Sequence, residues 1–132
     1  MNITKQVIIL SAELSNLSNA ENLRRTETLR HCLEDLDFSF SDAVGSYKGE
    51  IEESFVVIVN DQTEIDTLKD FAFKNFNQET VLYQDGNGYA HLIESNATQH
   101  PKLIGRLSRV SKDDAFKAVR YTMFNEKYYT AV

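Results

Sequence analysis

The chain has little cysteine and little proline, and it has no tryptophan: Cys32 and Pro101 are the single examples of their kinds among 132 residues. A lone cysteine cannot form an internal disulfide, which excludes the disulfide-stapled class of small secreted domains. The apolar stretch near the N-terminus, Val7 to Leu10, is too short for a signal peptide or a membrane span. These absences predict a cytoplasmic protein that does not associate with a membrane.

Clustered basic residues and catalytic motifs are also missing. The net charge is -6, from 20 acidic and 14 basic residues that are spread along the chain, so a phosphate-tracking surface for nucleic acid is not expected. His31, His91 and His100 have no metal-ligand spacing, and no metal site is expected. No glycine-rich phosphate loop or nucleophile elbow is present, so the sequence identifies no catalytic residue and implies no cofactor.

The patterns that are present predict one domain, residues 1–132, with several strands. Continuous apolar runs at Val7 to Leu10 and Phe55 to Val59 are typical of strands that are buried on both faces. Asp85-Gly86-Asn87-Gly88 predicts a tight hairpin, because these residues tolerate the positive φ of such turns. Further strands are predicted over Phe38 to Val44 and Leu103 to Val110, and the C-terminal segment predicts a closing hairpin around Asn125-Glu126.

Three stretches have helical signals. Ser18 and Glu21 have capping-box spacing, which predicts a helix to about Leu36. A second helix is predicted to begin at Thr63, and its inward stripe is Ile65, Leu68, Ala72 and Phe76; Ser111 begins a short third helix. Strands and helices in this order predict an α+β fold, in which two main helices and a short third pack on a mixed, curved β-sheet.

One polar residue lies on the inward face of the first predicted helix. Counting back at helical spacing from Leu29, Leu33 and Leu36 gives Thr26 and then Asn22, next to a polar loop. Because helix N-termini at strand ends favour polar or anionic ligands, we expect a ligand at this first strand-to-helix junction. The predicted ligand-binding residues are Ser11, Glu13, Asn22, Glu53, Ser54 and Gln78. The alternative interpretation is that these polar groups only brace the loop.

The C-terminal segment is rich in aromatic residues. An exposed aromatic cluster is typical of interaction surfaces, although aromatic side chains also fill cores. The predicted partner-binding residues are Tyr121, Phe124, Tyr128 and Tyr129.

Several short segments, in this order, are similar to a known family: LSAELSN from Leu10, NAENLRRTETL around Asn22, VGSYKG from Val44, EES from Glu52 and FNQETVLYQDG from Phe76. The chain resembles, over residues 6 to 94, the family catalogued as domain of unknown function 3293, from bacteria and some of their viruses. The resemblance implies a shared fold and polar cluster, and it implies no assigned activity. The family usually has Asn-Pro after Ser-Ala, whereas this chain has Glu13-Leu14-Ser15-Asn16.

Three hypotheses of function follow. The first is a binding domain that holds a polar, nucleotide-derived small molecule at the junction that includes Asn22. The second is a phage or mobile-element protein that inhibits a host defence protein by direct binding. The third is a small hydrolase or transferase. The lack of catalytic motifs favours binding over catalysis.

Overall fold

The computed structural model of the protein describes residues 5–95 and 101–132. Along the described chain, the elements are β1 (Val7–Leu10), α1 (Asn19–Asp35), β2 (Phe40–Tyr47), β3 (Glu50–Ile58), α2 (Gln62–Asp70), a π-helical segment (Phe71–Asn75), β4 (Thr80–Gln84), β5 (Tyr89–Glu94), β6 (Lys102–Val110), α3 (Lys112–Lys117), β7 (Arg120–Phe124) and β8 (Lys127–Ala131).

The strands form a closed barrel, in the order β1-β3-β2-β7-β8-β6-β5-β4, with β4 pairing back to β1. Every strand pair in the described residues is antiparallel. The predicted mixed, curved sheet with two main helices was therefore wrong. Each strand was recognisable from its own sequence, but closure depends on which distant strands pair, and pairing also removes the exposed edges that an open sheet would present.

Helix α1 begins as the sequence predicts. Ser18 is its N-cap, and its hydroxyl oxygen accepts a hydrogen bond from the backbone N–H of Glu21 at 3.2 Å. The inward stripe is buried at Asn22, Thr26, Leu29 and Leu33. Leu36, however, is 47% exposed, because the helix ends at Asp35 and the chain turns away through a left-handed Asp37 with φ 59°.

Helix α2 begins slightly earlier than predicted. Its N-cap is Asp61, whose carboxylate accepts the backbone N–H of Glu64 at 2.9 Å. The predicted inward stripe is confirmed, since all four of its residues are buried: Ile65, Leu68, Ala72 and Phe76. The last two lie in or just after the π-helical segment, which continues the stripe beyond the α-helix.

The apolar side chains form two cores on opposite faces of the barrel wall. Phe55 and Val57 of β3 face outward and pack with α1 and α2, whereas Val56 faces the barrel interior with Val7 and Ile9. Successive residues of a strand point to opposite faces, so strands β1 and β3 are buried on both faces, as their continuous apolar runs predict. The interior core fills one end of the barrel.

Both predicted hairpins are confirmed. The Asp85 carboxylate accepts the backbone N–H groups of Asn87 at 2.9 Å and Tyr89 at 3.0 Å, and Gly88 has φ 88°. Asn125 and Glu126 join β7 and β8 with positive φ at both positions. Strand β2 continues through Tyr47, past the end predicted for it. None of the helices in the described ranges is long and apolar enough to cross a membrane.

Candidate functional site

The end of the barrel opposite the filled interior contains a cavity of about 550 Å³. This volume lies within the range of small-molecule sites in proteins. The residues that line the cavity come from distant parts of the sequence. Strand pairing places them next to each other, because interior-facing residues of neighbouring strands lie side by side. We call this space the mouth cavity.

The mouth cavity has an apolar floor and a polar rim. The floor includes Ile9 and Leu82 of the interior core and Leu92 and Ile104, which pack against that core. Charged side chains occur on or next to several strands of the rim: Glu50, Glu52, Glu79, Glu94, Lys102 and Arg120. A ligand with an apolar or aromatic part and several charges would match such a lining.

Two rows of paired residues cross the wall formed by β3, β2 and β7. In the outer row, Tyr47 pairs with Glu50 on one side and with Arg120 on the other. In the inner row, Gly45 lies between Glu52 and Thr122. Each row therefore begins with a carboxylate on β3.

Glu52 is the ionisable group most affected by this environment. Its removal from solvent raises its pKa from 4.5 to about 7, and the nearby negative charges of Glu13 and Glu50 contribute to the increase. The side chain therefore changes charge near neutral pH. In its ionised form it favours a cationic group, since a cation relieves the repulsion among the three carboxylates.

Gly45 lies close to the Ser54 side chain in the inner row. A glycine in a strand is unfavourable by roughly 0.5–1 kcal/mol relative to alanine, and the backbone of Gly45 does not have a positive φ. A Cβ at this position would lie 3.1 Å from the Ser54 Oγ atom. The absence of a side chain at Gly45 therefore leaves room for the Ser54 hydroxyl against the inner row.

The basic residues of the rim do not neutralise its acids. The Arg120 guanidinium lies over the Tyr47 ring, 4.6 Å from the ring centroid. In the described ranges, neither Arg120 nor Lys102 forms an ion pair with an acidic side chain. The cavity therefore offers carboxylates and cations in separate places, available for a ligand that has charges of both signs.

The loop after β1 is held by a hydrogen-bonded network that contains several predicted ligand-binding residues. Asn22 accepts the Leu14 N–H and donates to the Leu14 carbonyl, both at 2.9 Å. The Ser11 hydroxyl donates to the Glu53 carbonyl at 2.8 Å and accepts the Glu13 N–H at 3.0 Å. These bonds correspond to the bracing interpretation.

Three further side chains complete this loop network. The Gln78 amide donates to the Glu13 carbonyl at 2.9 Å. Arg25 donates to the carbonyls of Ala12 and Phe76, so α1 is tied to both segments beside the cavity. The Glu13 carboxylate accepts the Glu53 N–H.

The structure brings half of the predicted ligand-binding set to the cavity. Ser11, Ser54 and Gln78 are among the residues that line it, whereas Glu13, Asn22 and Glu53 lie in the loop network or on the outer face. A ligand role for these six residues stays a prediction.

Sequence reasoning missed Glu50, Glu52, Gly45, Thr122 and Arg120. One signal was available for the acids: in a strand, Glu50, Glu52 and Ser54 share one face. The segment from Gly45 to Gly49 has the composition of a turn, and the pairing of β2 with β7 has no signature in the sequence.

The C-terminal aromatic residues do not form a single patch. Tyr121 and Tyr128 pack against each other and against Phe116, with ring centroids 5.6–5.8 Å apart. Tyr129 and Phe124 pack instead in the interior core. Tyr121 is 9% exposed and Tyr129 is 8% exposed, so the larger part of both rings is buried within the fold. Their role in binding a partner stays a prediction.

Comparison with known proteins gives one family. No individual curated protein matches the chain. The model of the S-adenosylmethionine lyase family matches residues 8–132, which include nearly all of β1 and every later element of the barrel. This match does not confirm the resemblance to domain of unknown function 3293, and it lends no support to the phage inhibitor hypothesis. The chain belongs to the S-adenosylmethionine lyase family.

Proposed function

We propose that this protein is an S-adenosylmethionine lyase that binds its substrate in the mouth cavity. The family assignment over residues 8–132 suggests the substrate and the reaction class. The observation that carries the proposal is the cavity itself, which combines a nucleoside-sized volume with carboxylates and with cations that form no ion pair in the described part of the chain. A nucleotide-derived ligand was expected from the sequence, and the proposal identifies it as S-adenosylmethionine.

The charges of the substrate complement those of the rim. S-adenosylmethionine has a positive sulfonium, a positive ammonium and a negative carboxylate on its methionine part. Glu50 and Glu52 lie together on β3 and suit the positive groups, while Arg120 on β7 suits the carboxylate. The adenosine part has aromatic faces that suit the apolar floor at Ile9 and Leu82.

A lyase breaks a carbon–sulfur bond of this substrate without water or an oxidant. The electron pair of the broken bond leaves with sulfur, so the sulfonium becomes a neutral thioether. Cleavage at Cγ of the methionine part occurs either when its own carboxylate displaces sulfur and closes a lactone, or when a base removes a Cβ proton and an alkene forms. Both routes release 5′-methylthioadenosine, which is therefore the diagnostic product.

The apolar floor suits a reaction in which charge disappears. A sulfonium loses its positive charge as the bond breaks, so surroundings that solvate the cation less than water does lower the barrier. Glu52 contributes chiefly to binding, since its charge favours the cation before the bond breaks. We therefore expect replacement of Glu52 to weaken binding of the substrate.

The test is the formation of 5′-methylthioadenosine from S-adenosylmethionine by the purified chain. We expect the wild-type protein to form it and Glu52→Gln to lower kcat/KM about tenfold or more, because a charged contact is worth about 1.5–3 kcal/mol. Glu34→Gln is the matched control, since Glu34 is exposed on α1 and is not one of the residues that line the cavity. The control should retain wild-type activity.

A binding comparison tests the charge argument separately. S-adenosylhomocysteine lacks the sulfonium charge, so the wild-type protein should bind it more weakly than S-adenosylmethionine, and Glu52→Gln should reduce that preference. The proposal fails if the wild-type protein forms no 5′-methylthioadenosine. An unchanged kcat/KM in Glu52→Gln would remove the mouth cavity as the site.

A further inference from the structure

We propose that Arg120, held by Tyr47, is the specificity-determining residue that recognises the α-carboxylate of the substrate. This inference rests on the proposed function and deepens it, because it assigns one group of the substrate to one side chain. Arg120 is the first residue of β7 and lies on the barrel rim, directly across from Tyr47 of β2.

The position of the guanidinium is fixed from one side. Its carbon atom lies 4.6 Å from the centroid of the Tyr47 ring, a distance at which a cation is attracted to the ring face. Within the described residues the Arg120 guanidinium forms no hydrogen bond, so its N–H donors are available to a ligand. Those donors have the fork geometry that matches the two oxygens of a carboxylate.

No acidic side chain in the described part of the chain uses these donors, although acids line the same cavity. Arg120 is half-buried, so its charge is partly removed from solvent. A cation in this situation gains more from an anionic ligand than a fully exposed cation does. Lys102, the other cation of the rim, is exposed and lies on β6.

The spacing of the charges fits one substrate molecule. Arg120 and the acids of β3 are separated by strand β2, which places their backbones about 10 Å apart at the usual strand spacing. Both side chains reach into the cavity and shorten that gap. The carboxylate and sulfonium of S-adenosylmethionine are separated by three carbon atoms, so one molecule can meet Arg120 and Glu52 at the same time.

Tyr47 acts as a positioning residue in this arrangement. Without the Tyr47 ring, Arg120 retains its charge but loses the surface that orients its guanidinium group. Tyr47→Phe keeps the ring and should retain recognition, whereas Tyr47→Leu should weaken it. The pair of variants separates the effect of the ring from that of the hydroxyl group.

The experiment uses two thioethers that lack the reactive sulfonium and differ only in the carboxylate: S-adenosylhomocysteine and its decarboxylated analogue, S-adenosyl-3-thiopropylamine. Calorimetry measures both dissociation constants for each protein. We expect the wild-type protein to bind S-adenosylhomocysteine about tenfold or more tightly than the analogue. Arg120→Gln should weaken the binding of S-adenosylhomocysteine and so bring the ratio of the two dissociation constants close to one. Arg120→Lys should restore part of this preference.

Arg24→Gln is the matched control, because Arg24 is an exposed arginine of α1. It should leave the ratio unchanged. If Arg120→Gln weakens the binding of both thioethers equally, or if the wild-type ratio is close to one, Arg120 does not recognise the carboxylate. A chain that forms 5′-methylthioadenosine while showing either result overturns this inference alone. A chain that forms none overturns the proposed function, and one that also binds neither thioether overturns this inference with it.

Discussion

The amide of Asn22 is bound at both its oxygen and its nitrogen by the backbone of Leu14, through one accepted and one donated hydrogen bond at 2.9 Å each. A polar side chain on the inward face of a helix is therefore satisfied within the fold. The sequence placed Asn22 correctly on that face. Its partner depended on the path of the loop, which has no periodic pattern to predict it.

Removal of this amide should destabilise the protein. Asn22→Ala leaves the N–H and carbonyl of Leu14 without their partner in a part-buried setting, and we expect the free energy of unfolding to fall by about 2 kcal/mol. Urea unfolding measures the change. Asn16→Ala is the control, since Asn16 is exposed in the same loop, and it should change little. Equal, small changes in both variants would show that the brace contributes nothing.

Glu52 should make stability depend on pH. Its pKa is raised from 4.5 to about 7 in the folded protein, so between these values the folded state keeps a proton that the unfolded chain has released. Because the folded state binds more protons, this contribution to stability is present below pH 4.5 and is lost as pH rises through 7. Glu52→Gln removes it, so the variant should gain stability relative to the wild-type protein between pH 5 and about pH 8.

Urea unfolding of both proteins at these two pH values checks this prediction. The matched control is Glu126→Gln, because Glu126 is exposed and forms no ion pair within the described residues; its difference from the wild-type protein should not change with pH. A difference between Glu52→Gln and the wild-type protein that is the same at both pH values would contradict a raised pKa at Glu52.

At the scale of elements, the described helices and strands follow their local sequence closely. Ser18 and Ser111 cap α1 and α3 as expected, and the inward stripe from Ile65 to Phe76 is buried. Caps, stripes and tight turns depend on residues within a few positions of one another, which explains why the sequence predicts them. The end of β2 was missed because the turn occupies only Lys48 and Gly49, so that Gly45 to Tyr47 still pair with β3 on one side and β7 on the other.

Strand β6 has one position at which a glycine is required. Gly105 has φ 133°, and a Cβ there would lie 2.7 Å from the backbone oxygen of Val132. Gly105→Ala should therefore lower the free energy of unfolding by about 2 kcal/mol or more, because it combines backbone strain with a clash against rigid backbone. Thermal unfolding measures the loss.

Gly86 provides the control for this prediction. A Cβ at this position would meet no heavy atom within 4 Å, and the backbone there does not have a positive φ, so Gly86→Ala should be nearly neutral. If both variants unfold at the same temperature, strand β6 tolerates a side chain at position 105.

At the scale of the whole molecule, the barrel is closed but its wall is covered unevenly. Strands β1 and β3 have a core on each face, and Ile8 and Val57 are fully buried. Strand β6 has exposed residues on its outer face, such as Leu103 at 57%. The helices therefore stabilise one side of the barrel more than the other.

Hydrogen exchange should follow this asymmetry. We expect the amides of Ile8 and Val57 to exchange at rates set by global unfolding, and those of β6 to exchange faster through local opening. Mass spectrometry of exchanged peptides, or amide signals in NMR, would measure both sets. Equal protection of β1 and β6 would show that the barrel opens only as one unit.

The sequence by itself determined the elements: the buried strands, the helix starts, the two tight turns and the inward position of Asn22. These features depend on propensity, periodicity and capping within short segments. Only the tertiary structure decided that the strands close into a barrel, and that Glu52, Gly45 and Arg120 meet at its mouth. The physical reason is that strand pairing joins residues far apart in the chain, and no local pattern specifies which strands become neighbours.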